Sequence, residues 1–378
     1  MIPENIYLDY AASTPVAPEV FEKMIPFFLE HYGNSSSSTH QYGWYANGAI
    51  KKARNQVAKA INCEESEIIF TSGATEGINQ AIKGIFQLYY KKGNHIVVSK
   101  TEHKAVLDTM KILEKRGAKI TYLDVNSDGL IDIECFKGAL QSTTVLAAVM
   151  WVNNETGVIQ NVKELSEAAF EKNIPFLCDG TQAIGKLPVD MQTNKIGVMP
   201  ISAHKFYGPK GVGALYIRRK NPRIVLSPLI SGGGQEKKLR AGTLNTPGIV
   251  GLGHAIELAS KNIESKKNRL QEIKKSFKLF FKGYKAIFNE STENTSNHVL
   301  NVTIPGIKAD SLLKKTRNLS YSLGSACTSE TLDPSHVLTA MGISKEDCFC
   351  SFRLSFSTEI SDEMIEKVKN TFKNSIIA

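Results

Sequence analysis

Residues 67–77 read EIIFTSGATEG. EIIF is a strand-sized β-forming run, TSG makes a glycine-containing turn, and helical periodicity follows over 75–92. This strand–turn–helix unit recurs. HIVVS (95–99), KITYL (119–123), VLAAVMWV (145–152), IPFLC (174–178), GVMPIS (197–202) and VGALYI (212–217) read as further strands. Helical patterns over 103–116 and 161–173 lie between them. Alternation of this kind predicts an α/β fold with a mainly parallel sheet covered by helices on both faces. Ligands of such sheets bind beyond the carboxyl ends of the strands.

The pattern changes after residue 260. LNVTIPG (300–306) and FRLSFS (352–357) read as strands of a smaller α+β unit, separated by a helix over 309–317 and the stretch SLGSACTSE (322–330). The expected domains are a large one over 15–260 and a small one built from 1–14 and 261–378. A chain of 378 residues exceeds the size at which single cores stop growing.

The net charge of +9 raises the question of nucleic acid. Residues 261–285 alone carry a net +7, and there Ile263, Leu270, Ile273, Phe277, Phe280 and Tyr284 recur at helical spacing. The lysines are then read as the solvated back of one helix, and no direct nucleic-acid contact is expected. No apolar run reaches the ~18 residues that span a bilayer, and MIPENIYLDY lacks the basic, then apolar, pattern of a secretory signal. A cytoplasmic location without membrane contact is the expectation. The six cysteines are scattered without C-x-x-C, so neither disulfides nor a metal site is expected. Cys63, Cys135 and Cys178 read as inert packing residues. Cys327 sits among Ser322, Gly324, Ser325, Ala326, Thr328 and Ser329, without a sizeable apolar neighbour, as an exposed, reactive thiol would.

Polar residues after the strands carry the chemistry. Thr71, Ser72 and Thr75 bring hydroxyls to a helix start whose N–H groups suit a phosphate, although an ordinary capped helix reads the same way. Asp179 ends a buried run, either facing a cation or capping the next helix. Lys205 lies 26 residues on, in the turn SAHKFYGPKG (202–211), where a desolvated lysine can serve as a Schiff-base nucleophile. One ligand needs a lysine, an acid and a phosphate cradle together, namely pyridoxal 5'-phosphate.

With IYLDYAAST (6–14), TSGATEG (71–77), TEHKAV (101–106), VNNETGVIQ (152–160), CDGTQ (178–182), SAHKFYGPKG, RAGTLN (240–245), GSACTS (324–329) and FRLSFS in this order, the chain resembles the cysteine desulfurases of the NifS/IscS-like group. These are class V aminotransferases of the fold type I pyridoxal-phosphate enzymes. The resemblance implies a seven-stranded large-domain sheet, a homodimer and conversion of L-cysteine to L-alanine, with the sulfur left as a persulfide on Cys327. It assigns Lys205 to the Schiff base, Asp179 to the pyridinium nitrogen and Gln182 to the ring oxygen. His103 would stack on the ring and move protons. Ala74, Thr75, Ser202 and His204 would hold the phosphate, with Thr243 reaching the phosphate of the other subunit. Arg353 would bind the substrate carboxylate, assisted by Asn154 and with Asn34 in the same pocket.

Gly180 stands where many relatives have Ala, Ala203 where many have Gly, and Trp151 where a His is common. Many relatives also carry an extension that docks an iron–sulfur scaffold, whereas this chain stops soon after the helix 362–375. The persulfide would go to a sulfur-acceptor protein for iron–sulfur assembly, tRNA thiolation or DNA phosphorothioation. The competing readings are an aminotransferase or lyase for another amino acid, which needs no loop thiol, and an idle sulfur carrier, which needs no Lys205, Asp179 and His103.

Overall fold

The computed structural model describes residues 5–323, 325–326 and 333–377, so Cys327 lies outside the described residues. The large domain contains α1 (Gln41–Ala60), β1 (Ile68–Thr71), α2 (Ala74–Tyr89), β2 (His95–Ser99), α3 (Lys104–Glu114), β3 (Lys119–Leu123), β4 (Thr144–Ala148), α4 (Val162–Glu171), β5 (Phe176–Leu177), β6 (Val198–Ser202), β7 (Gly213–Ile217) and α5 (Thr246–Ala259). The seven strands form one sheet in the order β1-β7-β6-β5-β4-β2-β3. All neighbours are parallel except β7, which runs antiparallel between β1 and β6.

Alternate side chains along each strand feed opposite faces, as the two-residue period requires. Ile68, Phe70, Val97 and Ala147 join one core with α1, α4 and α5. Ile69, Ile96, Val98, Leu146 and Ala148 join the other, with α2 and α3. Both faces are therefore dry, which explains why the strands read as continuous apolar runs. Among the described residues no helix is long and apolar enough to cross a membrane.

A separate core belongs to the rest of the chain, comprising α6 (Ile263–Lys282), β8 (Ile287–Phe288), β9 (Val299–Thr303), β10 (Ser322–Leu323), β11 (Ser351–Ser355) and α7 (Asp362–Ile377). Its antiparallel sheet has the order β10-β11-β9-β8. Leu8 is buried in this core, and Ile6–Tyr7 pairs in parallel with Leu319–Ser320. The N-terminal arm thus starts in the small domain and crosses to the large one, where the Thr14 N–H donates to the His204 carbonyl (2.8 Å).

Two sequence expectations need correction. The lysines of α6 are not all solvated: Lys274 is 4% exposed and pairs with the carboxylate of Glu290 at 2.5 Å. Its position beside Ile273 and Phe277 turns it inward, where Glu290 and the Ser296 carbonyl receive its ammonium. Cys135 packs nothing, being exposed in the first turn of the short helix Ile133–Ala139, whereas Cys178 is fully buried.

Candidate active site

The parallel strands deliver their carboxyl ends to one edge of the sheet, and a cavity of about 520 Å³ opens there. Chain segments following β1, β2, β4, β5 and β6 all line it, together with Ala11, Ala12 and Arg353.

After β1 the backbone turns through Gly73, whose φ of +152° is costly for any residue with a Cβ. The 16-residue helix α2 then begins with no side-chain cap. Ala74 and Thr75 line the cavity at this helix start, where backbone N–H groups and the positive end of the dipole meet. β7 must pass close by: a Cβ on Gly213 would lie 2.7 Å from the Gly73 Cα and 2.3 Å from the Ile201 carbonyl oxygen. Ser202, the last residue of β6, and His204, just beyond it, complete this wall. Burial, and then the charges of Lys205, Lys210 and Lys186, push the His204 pKa down to about 4, so the ring is neutral.

After β2, His103 caps α3, its Nδ1 accepting from the Ala105 N–H at 3.1 Å. The neutral ring therefore carries its proton on Nε2. Desolvation by the cavity walls holds its pKa below the usual value, against the pull of Asp179. The neighbouring Glu102 is fully buried, and this burial raises its carboxyl to about 8.

Asp179 follows β5 and is 5% exposed, with Oδ1 accepting from the Thr181 N–H (3.0 Å). Among the described residues it forms no ion pair, so its carboxylate faces the cavity without a protein cation. Gly180 has a local counterpart: a Cβ there would lie 2.5 Å from Met199 Sδ, so the methionine fills the volume an alanine would need.

Lys205 ends the short 3₁₀ turn Ala203–Lys205. Its Nζ donates to the carbonyls of Ala11 (2.8 Å) and Ala12 (2.7 Å). Desolvation, followed by the Arg353 charge, lowers its pKa to about 8. A free amine is thus accessible near neutral pH, as carbonyl capture requires.

The small domain contributes Arg353 from β11. Nη1 donates to the Asn154 carbonyl (2.8 Å), while Nη2 bridges Asp9 Oδ1 (2.5 Å) and Ser322 Oγ (2.9 Å). Its Nε is buried without a partner among the described residues.

Ten expected residues therefore meet in one place: Ala74, Thr75, His103, Asn154, Asp179, Gln182, Ser202, His204, Lys205 and Arg353. Thr243 and Asn34 do not line this cavity; both are exposed on the surface of their own chain. Sequence reasoning missed the Ala11 and Ala12 carbonyls and Asp9. Their only signal was the IYLDYAAST motif, which carries no chemistry until the arm is seen to cross the site.

The residues fit pyridoxal phosphate. An uncapped helix start suits the phosphate, an unpaired buried Asp suits a pyridinium, and a lysine of lowered pKa suits the aldehyde.

The family model described as Aminotransferase class-V matches residues 6–368. The chain is 44% identical to cysteine desulfurase IscS of Neisseria meningitidis serogroup C over 98% of this chain and 92% of that protein. Identity to the IscS of Dechloromonas aromatica is 46% over 96% and 89%. Among solved structures, a NifS-like protein superimposes with a TM-score of 0.93 at 33% identity, covering 99% of both chains. SspA in complex with cysteine gives 0.83 at 38% identity over 93% of this chain and 99% of its own. The chain belongs to the class-V aminotransferase family and, within it, to the cysteine desulfurases.

Proposed function

We propose that this protein is a cytoplasmic, homodimeric cysteine desulfurase that uses pyridoxal 5'-phosphate to move the sulfur of L-cysteine onto Cys327. The observation that carries the reading is the convergence of Lys205, unpaired Asp179 and an uncapped helix start in one cavity with Arg353. The cysteine bound to SspA supports the substrate.

When bound, the cofactor supplies an electron sink that weakens bonds at the substrate Cα. Lys205 holds it covalently and shuttles protons, for which a pKa of about 8 is well placed. Asp179 keeps the ring nitrogen protonated. Ala74, Thr75, Ser202 and His204 take the phosphate, and Gln182 donates to the ring oxygen. His103 would lie against the ring, neutral near pH 7 and with its hydrogen on Nε2, as a hydrogen-bond donor. Arg353, with Asn154, orients the substrate carboxylate.

The Cys327 thiolate then attacks the substrate sulfur. The carbon–sulfur bond breaks, a sulfur–sulfur bond forms, and protonation at carbon yields L-alanine. Substrate thiol and enzyme thiol thus become alanine and a persulfide without an external oxidant. A sulfur-acceptor protein collects the product.

Phe21, Phe28, Tyr32, Tyr42, Trp44 and Tyr45 are large and exposed on one chain segment, which supports a second copy covering them. Asn34 and Thr243 are read as facing that copy, Thr243 toward its phosphate site.

The test is Cys327→Ser. The variant should keep the absorption of the lysine-bound cofactor yet release almost no sulfide from L-cysteine under reducing conditions. Wild-type sulfide release would remove Cys327 from the reaction.

A further inference from the structure

The side of Gln182 away from the cavity is held by an arrangement that its assigned role leaves unexplained. Gln182 is 3% exposed, and both its amide oxygen and one of its two amide hydrogens are engaged. Nε2 donates to the Ala11 carbonyl at 2.7 Å. Oε1 receives His298 Nε2 at 3.2 Å and Lys186 Nζ at 3.4 Å. Lys186 also donates to the Lys205 carbonyl (3.0 Å). His298 precedes β9, is 2% exposed, and its Nδ1 meets Ser296 Oγ.

These contacts have only one consistent polarity. Reversing the Gln182 amide would set its oxygen against the Ala11 carbonyl oxygen, at the 2.7 Å where its N–H now donates. Burial and the charges of Lys186, Lys274, Arg353 and Lys205 hold the His298 pKa well below the usual value, so the ring is neutral and has a single N–H. With an amide oxygen at Nε2, that hydrogen sits on Nε2, and Nδ1 accepts from the Ser296 hydroxyl. The donors run in one direction, from Ser296 through His298 and Gln182 to the Ala11 carbonyl.

We propose that His298 is a positioning residue that locks the Gln182 amide with its oxygen turned away from the cavity, so that the second Nε2–H is presented to the ring oxygen of the cofactor. The proposal rests on the assignment of Gln182 to that oxygen. A donor there favours the ionised ring oxygen, most strongly when the adjacent Schiff-base nitrogen has lost its proton, and so lowers the pKa of that nitrogen. Without His298 the amide oxygen keeps, among the described residues, only Lys186 as a donor, so the amide is held less firmly with its N–H toward the ring oxygen. The pKa then rises.

Four variants separate the claims. In the loaded enzyme, His298→Leu should move the spectroscopic titration of the lysine–cofactor chromophore to higher pH by about half to one unit, the equivalent of one ordinary hydrogen bond. Gln182→Ala should move it the same way. His298→Asn, too short to reach Gln182 yet able to meet Ser296, should behave like Leu and serves if Leu does not fold. His298→Gln, whose terminal N–H reaches the Nε2 position, should restore the wild-type midpoint.

A shift with Gln182→Ala but none with Leu or Asn overturns the His298 role. No shift with Gln182→Ala overturns instead the assignment of Gln182 to the ring oxygen. The lock is then judged in the cofactor-free protein by NMR of the Gln182 side-chain amide protons. Their signals should move in Leu and Asn and return in Gln. Unchanged signals overturn the proposal whatever the titration does.

Discussion

The two halves of the cavity are built in different ways. The large domain supplies its residues from the ends of neighbouring parallel strands, so Asp179, Lys205 and the start of α2 are placed by the sheet itself. The small-domain half depends on side-chain contacts between segments far apart in sequence. Arg353 is oriented by Asp9, 344 residues away in sequence, and by Ser322, its register partner on β10. Strand-end residues are thus fixed by hydrogen bonds that exist in any folded form of the sheet. Arg353 is fixed by the Asn154 carbonyl and by two side chains, either of which a single substitution can remove.

That contrast can be broken by substitution. Lys205→Ala should have the largest effect, abolishing the lysine–cofactor absorption and lowering alanine formation by at least about 10²–10⁴-fold, the worth of positioned proton transfer alone. Steady-state turnover and an absorption spectrum check this. Arg353→Lys should raise KM for L-cysteine roughly 10- to 100-fold, because a charged, forked contact is worth about 1.5–3 kcal/mol, while leaving the absorption intact. Asp9→Asn keeps a hydrogen-bond acceptor but removes the charge. It should raise KM only about tenfold or less, and a kcat loss larger than the KM change would show that Asp9 does more than orient Arg353.

The pH dependence of cofactor capture sharpens the large-domain side. Lys205 is protonated and unreactive below its pKa of about 8 and free above it. The uptake rate of pyridoxal phosphate by cofactor-free protein should therefore rise with pH through about 8 and level off. A rate still climbing at pH 10 would mean that the surroundings do not depress this lysine.

Much of the large-domain half was legible in the sequence for the same reason that it is robust. Each of its residues follows a β-rich run, so EIIF, IPFLC and GVMPIS mark where the chemistry lies. Burial on both faces of the sheet kept those runs apolar and readable, to within one or two residues at most ends. The antiparallel insertion of β7 was not legible, because strand direction leaves no trace in composition. Neither was the inward turn of Lys274, nor the Asp9–Arg353 contact. Pairings between distant side chains have no sequence period, and a buried lysine in a basic helix reads like its solvated neighbours. His298 escaped notice likewise, since a lone histidine before a strand has no pattern to betray its contact with Gln182.

The bonds from Lys205 to Ala11 and Ala12 have a consequence for how the two domains hold together. The ammonium spends two hydrogens on the N-terminal arm, whose preceding residues are rooted in the other domain. Once that nitrogen is committed to carbon it retains one hydrogen at most. The Ala11 carbonyl has a second donor in Gln182, whereas Lys205 is the one donor to the Ala12 carbonyl among the described residues. Lys205 would therefore also act as a latch: loading the enzyme would release part of the arm's grip, and amide hydrogen exchange around residues 11–14 would report how full the active site is.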